Sequence, residues 1–192
     1  MSKAILIISA GSSSRLGKAK QLVNYRGDTL INHVLKECLL SELGDIFLIL
    51  GANKAKIETQ LTPGNYKILF NENWEEGMGN TIAYAVSEVC AAKPYEGLYI
   101  VLSDQIFLDH HLLEKIRSHT DVYPTALIVS KYQEGQGPPS YFPAKYFRPL
   151  SKLTGDDGAK EIIQANRDEI IYVNFEKGNI DIDTPEDLKH LL

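Results

Sequence analysis

Four short segments carry the residue types best suited to chemistry. The first reads Ala10-Gly11-Ser12-Ser13-Ser14-Arg15-Leu16-Gly17-Lys18-Ala19-Lys20. Small residues let backbone N–H groups approach an anion closely, and Arg15 and Lys20 add positive charge, which is the combination a triphosphate requires. The second, Leu102-Ser103-Asp104-Gln105, sets a carboxylate directly after an apolar run. Such a carboxylate is placed either to hold Mg²⁺ on nucleotide phosphates or to cap the next turn. The third, Ile180-Asp181-Ile182-Asp183-Thr184-Pro185, alternates apolar and polar residues like a short strand. It offers Asp183 as a second metal ligand, leaves Asp181 to solvent and gives Thr184 to helix capping. The fourth runs from Asn73 to Thr81 and ends at a helix start, where Gly79, Asn80 and Thr81 suit a nucleobase or phosphate, with structural capping the rival role for Asn80.

Two familiar phosphate loops do not fit the first segment. A dinucleotide fingerprint needs GxGxxG, and a P-loop needs four residues between its glycines followed by Lys and then Ser or Thr. Here five residues, Ser12 to Leu16, separate Gly11 from Gly17, and Lys18 is followed by Ala19. A P-loop ATPase and an NAD enzyme are therefore disfavoured, while nucleotide binding is not.

These segments must be positioned by something, and hydrophobic periodicity says what. Residues 4–9, 46–51, 66–71 and 97–104 are short aliphatic and β-branched runs of the kind buried in a parallel sheet. Between them lie apolar residues at helical spacing: Leu30, Ile31, Val34, Leu35 and Cys38; a short stretch at 55–61; and Ile82, Val86 and Val89 in a helix running from Gly77–Gly79 to about Ala92. Asp109 is a natural N-cap for a helix carrying Leu112, Leu113 and Ile116. Strands alternating with helices imply an α/β fold, a doubly wound, mostly parallel sheet with helices on both faces. Ligands in such sheets bind beyond the carboxyl ends of the strands, where the first two chemical segments fall.

After Thr125 the pattern changes: a run ALIVSKY, a Gly/Pro cluster at 135–139 that reads as a loop, a helical stretch with Phe147, Leu150 and Leu153, and a strand at 170–175. Thr184, Pro185 and Asp187 stand at N-cap, N1 and N3 of a closing helix. With no repeat, linker or low-complexity tract, one domain over residues 1–192 is expected. The 132–143 stretch reads as a lid or acceptor wall.

The 25 acidic and 20 Lys/Arg residues give a formal charge of −5, which argues against a general grip on nucleic acid or an anionic membrane. Cys38 and Cys90 are isolated from each other and from histidines, so neither a zinc site nor a disulfide framework is indicated, and a reducing cytoplasm fits best. No run is long enough to span a membrane. His110-His111 reads as a solvated helix surface rather than a metal pair, and Trp74 as core or rim rather than a base-stacking platform.

Taken together, the segments resemble the molybdopterin-type nucleotidyltransferases. That family's opening resembles L-A-A-G-x-S-x-R-[MF]-G-x-x-K, which stands here as Ile8 to Lys20, followed by Gln21-Leu22 and Gly27-Asp28-Thr29-Leu30-Ile31. Further matches are Glu76 to Thr81, Leu102 to Gln105, Leu153 to Lys160 and Asp181 to Leu188, in the family's order along nearly the whole chain. The resemblance implies a Rossmann-like nucleotidyltransferase fold. It implies that backbone groups of Ala10, Gly11, Ser12 and Ser13 meet the nucleotide, that Arg15 and Lys20 bind its phosphates, and that Asp104 and Asp183 hold Mg²⁺. Arg15, Lys20 and Asp104 are then the catalytic groups, and Lys20, Gly79, Asn80 and Thr81 share in nucleotide binding.

The reaction so implied is attack of the acceptor's terminal phosphate on the α-phosphorus of an NTP, with expulsion of pyrophosphate. Positioning and charge neutralisation suffice for that step, without a protein nucleophile. Ala10-Gly11 resembles the cytidylyl rather than the guanylyl branch and points to CTP. The acceptor would be a small phosphorylated molecule, molybdopterin or molybdenum cofactor foremost, with a molybdoenzyme as receiver of the product. Where the family's acceptor loop resembles G-H-P, this chain has Gly137-Pro138-Pro139 and no histidine. The alternatives are a sugar- or polyol-phosphate nucleotidyltransferase and a non-catalytic nucleotide-binding cofactor chaperone. Lys20 and Asp104 are expected to face solvent at the strand ends.

Overall fold

The computed structural model describes residues 2–191. In chain order, β1 (Lys3–Ser9) is followed by a small antiparallel pair, β2 (Asn24–Tyr25) and β3 (Asp28–Thr29). Then come α1 (Leu30–Ser41), β4 (Asp45–Leu50), α2 (Lys54–Glu58), β5 (Lys67–Phe70), α3 (Met78–Ala92), β6 (Gly97–Leu102) and α4 (His110–Val122). The chain continues through β7 (Leu127–Lys131), β8 (Gln136–Pro143), α5 (Phe147–Leu150), α6 (Lys160–Ala165) and β9 (Ile170–Asn174). Seven strands form one sheet in the order β5-β4-β1-β6-β8-β7-β9. All of them run the same way except β8, which is antiparallel to both β6 and β7.

The alternation of side chains along β1 explains the layering. Ile5 and Ile7 point to one face, where α1 contributes Ile31, Val34, Leu35 and Cys38 and α4 contributes Leu112, Leu113 and Ile116. Ala4, Leu6 and Ile8 point to the other, against Ile82, Ala85, Val86 and Val89 of α3 and Ile162 and Ile163 of α6. Each fully buried aliphatic side chain contributes about 1.5–3 kcal/mol, so a strand buried on both faces is strongly anchored. Anchoring matters here because β1 and β6 are neighbours in parallel register, and their carboxyl ends present the loops from Ala10 and from Ser103 side by side. No helix among the described residues is long and apolar enough to cross a membrane.

The Gly/Pro cluster is not a loop. Gln136 to Pro139 form the start of β8, inside the sheet, so residues 136–143 are strand and not a loop free to close over the site. Proline is normally excluded from central strands because it has no N–H to give the ladder. The register shows how this pair is accommodated: Val129 pairs with Ser140 and Ser130 with Gly137, so Pro138 and Pro139 are the two residues skipped in an irregularity. Their carbonyls are used instead, that of Pro139 accepting from the Ser130 hydroxyl at 2.7 Å and that of Pro138 from Gln105 Nε2 at 2.8 Å.

Three smaller expectations also change. Residues 180–183 form no strand, although the alternation survives in the burial of Ile182. The helix with Phe147 and Leu150 stops before Leu153, where the chain turns back to reach α3. His110 and His111, though consecutive, lie with ring centroids 4.0 Å apart, and His110 Nδ1 is 2.7 Å from Glu37 Oε2. The closing turn is as expected: the Asp187 carboxylate accepts from the Thr184 N–H at 2.7 Å and from the Thr184 hydroxyl at 2.8 Å.

Candidate active site

At the carboxyl ends of β1 and β6 lies a cleft of about 610 Å³, walled by the Ala10–Arg15 loop, Lys20, Asp104 and Asp183, with Trp74, Met78 and Thr81 across from them. Its floor is a charge cluster. The Lys20 ammonium donates to Asp104 Oδ2 at 2.5 Å and to Asp183 Oδ1 at 2.8 Å. Arg15 donates to Asp183 Oδ2 at 2.7 Å. Three segments far apart in sequence thus close on one point.

Against expectation, the core of this cluster does not face bulk water: the Lys20 and Asp104 side chains are only 17% and 11% exposed, while Arg15 remains 72% exposed. Burial alone would lower the pKa of the Lys20 ammonium, but the adjoining Asp104 and Asp183 carboxylates outweigh it and raise it. Burial would likewise raise Asp183, but Lys20 and Arg15 hold its carboxyl below the ordinary value. Asp181 is different. It is not left to solvent, its Oδ1 is buried without a hydrogen-bond partner among the described residues, and burial together with the Asp104 charge pushes its carboxyl up to about 7.

The Ala10–Ser13 loop is built to face an anion. The Ala10 carbonyl accepts from the Ala52 N–H at 2.9 Å, and the Gln21 side chain donates to the Ser9 and Gly11 carbonyls at 3.3 and 3.1 Å. The N–H groups of Gly11, Ser12 and Ser13 donate to no backbone carbonyl among the described residues. Gly11, Ser12 and Ser13 line the cleft, and a Cβ placed on Gly11 would meet nothing within 4 Å among the described residues. Ser13 takes a left-handed conformation with φ 59°, which brings its hydroxyl to the Lys20 N–H at 3.1 Å and joins the loop to the turn carrying Lys20.

Residues 5–170 match the MobA-like NTP transferase domain. The chain belongs to that family. Among curated relatives of this MobA-like protein, the purine catabolism protein PucB of Bacillus subtilis (strain 168) is 25% identical over 195 residues, covering 95% of this chain and 92% of that protein. The nicotine blue oxidoreductase of Paenarthrobacter nicotinovorans is 26% identical over 197 residues, covering 97% and 95%. Among solved structures, Rv0371c of Mycobacterium tuberculosis H37Rv superposes with TM-score 0.87 at 26% identity, covering 100% of this chain and 97% of the other. A second structure of that protein, in complex with manganese, gives TM-score 0.83 at 24% identity, covering 100% and 98%. The MobA-like family is one of nucleotidyltransferases, which typically depend on a divalent metal.

The donor set of the MobA-like cleft suits such an ion. No three His, Cys, Asp or Glu side chains among the described residues converge as a closed metal centre. Mg²⁺ and its like use one or two carboxylates together with phosphate oxygens and water, and Asp104 and Asp183 already converge on one cation. Asp181 lies beside them, its carboxyl held toward the neutral form by burial and by the Asp104 charge.

The fourth segment divides. Thr81 lines the cleft, its hydroxyl held between the Asn71 amide at 3.1 Å and the Gly77 carbonyl at 3.2 Å. Gly79 and Asn80 lie outside the lining. The Gly79 N–H donates to the Gly155 carbonyl at 2.7 Å, and a Cβ there would stand 2.5 Å from the Thr154 carbonyl oxygen. Asn80 bridges Asn71 and Glu76 at 3.2 and 2.8 Å. Sequence reasoning notes two cleft residues without giving them a role in the site. Gln21 is a polar residue beside Lys20 that proves fully buried, and Trp74 stands on the cleft wall, with Gly51 giving its Cβ room to approach.

Proposed function

We propose that this chain catalyses Mg²⁺-dependent transfer of a nucleoside monophosphate, CMP from CTP, to the terminal phosphate of a small acceptor, molybdopterin or molybdenum cofactor foremost. The observation carrying this reading is the convergence of Lys20, Asp104 and Asp183 at the foot of a loop whose carbonyls are tied back and whose Gly11, Ser12 and Ser13 N–H groups donate to no backbone carbonyl among the described residues. Asp104 and Asp183 would hold the divalent ion, which supplies charge neutralisation on the phosphates. Gly11, Ser12 and Ser13 N–H groups receive the triphosphate, and Arg15 and Lys20 offset the charge that gathers as the acceptor oxygen bonds to the α-phosphorus and pyrophosphate departs. The cytidine preference rests on Ala10-Gly11, and the manganese complex of Rv0371c supports a divalent ion in this fold.

The acceptor is the open half. Gly137-Pro138-Pro139 replaces the family's histidine loop and lies in β8, where Gln105 and Tyr132 both hydrogen-bond the Pro138 carbonyl. A sugar or polyol phosphate is therefore the second acceptor class to try. Pyrophosphate release, measured with each of the four NTPs, Mg²⁺ and a panel of molybdenum cofactor, sugar phosphates and polyol phosphates, is the test. Turnover with CTP and the cofactor upholds the reading. Turnover only with a sugar or polyol phosphate moves the acceptor, and NTP binding without release under any acceptor replaces catalysis with a nucleotide-binding, cofactor-carrying role.

A further inference from the structure

We propose that Gln21 is a positioning residue for the triphosphate, acting through the backbone of the Ala10–Ser13 loop rather than by contact with the reacting atoms; this rests on the nucleotide-transfer reading above. A loop can receive an anion only if its N–H groups, and not its carbonyl oxygens, face the ligand. Three successive carbonyls, of Ser9, Ala10 and Gly11, would otherwise be free to turn toward the phosphates. The middle one is taken by the Ala52 N–H at 2.9 Å, a backbone contact made by the strand end next door. The outer two are both taken by one side-chain amide, Gln21 Nε2, at 3.3 Å to Ser9 and 3.1 Å to Gly11.

The amide is well placed to impose this. Gln21 is fully buried, so its donors have no water to satisfy them instead, and it stands in the 3₁₀ turn Lys20–Leu22 that also carries Lys20. That same turn grips the loop a second time through the Lys20 N–H and the Ser13 hydroxyl. One short turn therefore sets the cation that meets the phosphates and the amide that aims the loop at them. Its Oε1 finds no partner among the described residues, so the anchoring lies in the Nε2 donors, and reversing the amide would bring oxygen against oxygen at both carbonyls.

The requirement is for a donor of this length, which makes it separable from packing. Gln21→Met keeps the volume and removes both donors; Gln21→Glu keeps the shape and replaces the donor nitrogen with oxygen. Binding of inorganic tripolyphosphate, CTP and cytidine is measured by calorimetry for the wild type and both variants, with thermal unfolding alongside. The expected result is a loss of at least tenfold in tripolyphosphate and CTP affinity in each variant, cytidine affinity unchanged, and KM for the NTP raised more than kcat is lowered. Should Gln21→Met fail to fold, Gln21→Glu and the amide chemical shifts of Gly11 and Ser12 in the wild type on tripolyphosphate addition carry the test. Variants that bind tripolyphosphate as the wild type does, or lose cytidine equally, overturn the proposal for Gln21 and leave nucleotide transfer standing. A wild-type protein that binds neither CTP nor tripolyphosphate overturns both.

Discussion

Lys20 and Asp183 lie 163 positions apart in the chain and meet at 2.8 Å, with Asp104 on the other side of the same ammonium. A buried cation shared by two carboxylates is held by geometry, because removing any one member leaves uncompensated charge in a site with little water to screen it. Lys20→Met is therefore expected to do two things at once. Turnover should fall by at least about 100-fold, the usual cost of removing one preorganised charge from a transfer site. The metal-free protein should also melt lower, and Mg²⁺ or Mn²⁺ should recover more of that loss than it adds to the wild type, since the two carboxylates then lose the cation they share and only the exposed Arg15 still faces Asp183. Thermal unfolding across a metal titration reads the second effect, and a variant whose melting is indifferent to metal contradicts it.

Asp181 gives a pH dependence whose sign can be worked out. Its carboxyl is raised from 3.8 to about 7, first by burial and then by the Asp104 charge. The unfolded chain thus ionises it readily above pH 4 while the folded protein resists until about 7. Stability is lost progressively across that interval and the loss is constant above it. Asp181→Asn should accordingly melt higher than the wild type at pH 8 without metal, by about 2–4 °C for each kcal/mol recovered, with the difference gone at pH 4. Melting temperatures of the two proteins from pH 4 to 8 decide it, and an equal melting temperature at pH 8 would sink the idea.

What could be read from the residues was local. The run GLYIVL announces a buried strand, and a carboxylate following such a strand in a parallel sheet lands at the ligand end, so Asp104 was within reach. The partnership of Lys20 with Asp183 follows no such rule, since neither stands directly after a strand, and it needs the closing segment to come back to the loop, which no periodicity encodes. Pro138-Pro139 misleads for a physical reason: the residues that mark a loop in most sheets here occupy the skipped positions of a central strand, where no N–H is called for. Gly79 misleads too, because close approach of a ligand and close approach of a neighbouring backbone demand the same missing side chain, and the neighbour is Thr154. Gln21 stands in the sequence only as part of the opening resemblance and with no role of its own, since its work is done on carbonyls that are brought to it only once the chain is folded.

The Glu37–His110 pair makes a second pH prediction, at a distance from the cleft. Glu37 Oε2 accepts from the His110 N–H at 2.8 Å and lies 2.7 Å from its ring Nδ1, so one carboxylate both caps α4 and holds the ring. His110 is raised above 6.5 chiefly by that hydrogen bond, and its contribution is present below 6.5 and lost as pH rises through the raised value. Burial would raise Glu37, but His110 outweighs it and holds the carboxyl below 4.5, so its contribution is lost as pH falls through that lowered value. Glu37→Gln should therefore cost most between about pH 5 and 6.5 and less at pH 8.5, where only the backbone cap remains. Calorimetric melting at these pH values checks it, and a cost independent of pH would show that the ring contact contributes nothing.

Gly79→Ala separates packing from ligand binding at the start of α3. A methyl group there would lie 2.5 Å from the Thr154 carbonyl oxygen and 3.0 Å from that of Gly155, both backbone atoms that cannot swing aside as a side-chain tip can. The helix start must move off the 154–155 turn, straining the 2.7 Å bond from the Gly79 N–H to Gly155. Overpacking against fixed backbone costs about 1–3 kcal/mol, so urea unfolding should show a clear loss of stability in the absence of any ligand. Weakened NTP binding would follow only as α3 carries Thr81 away from the cleft wall. A variant as stable as the wild type yet deficient in NTP affinity would instead place Gly79 against the nucleotide itself.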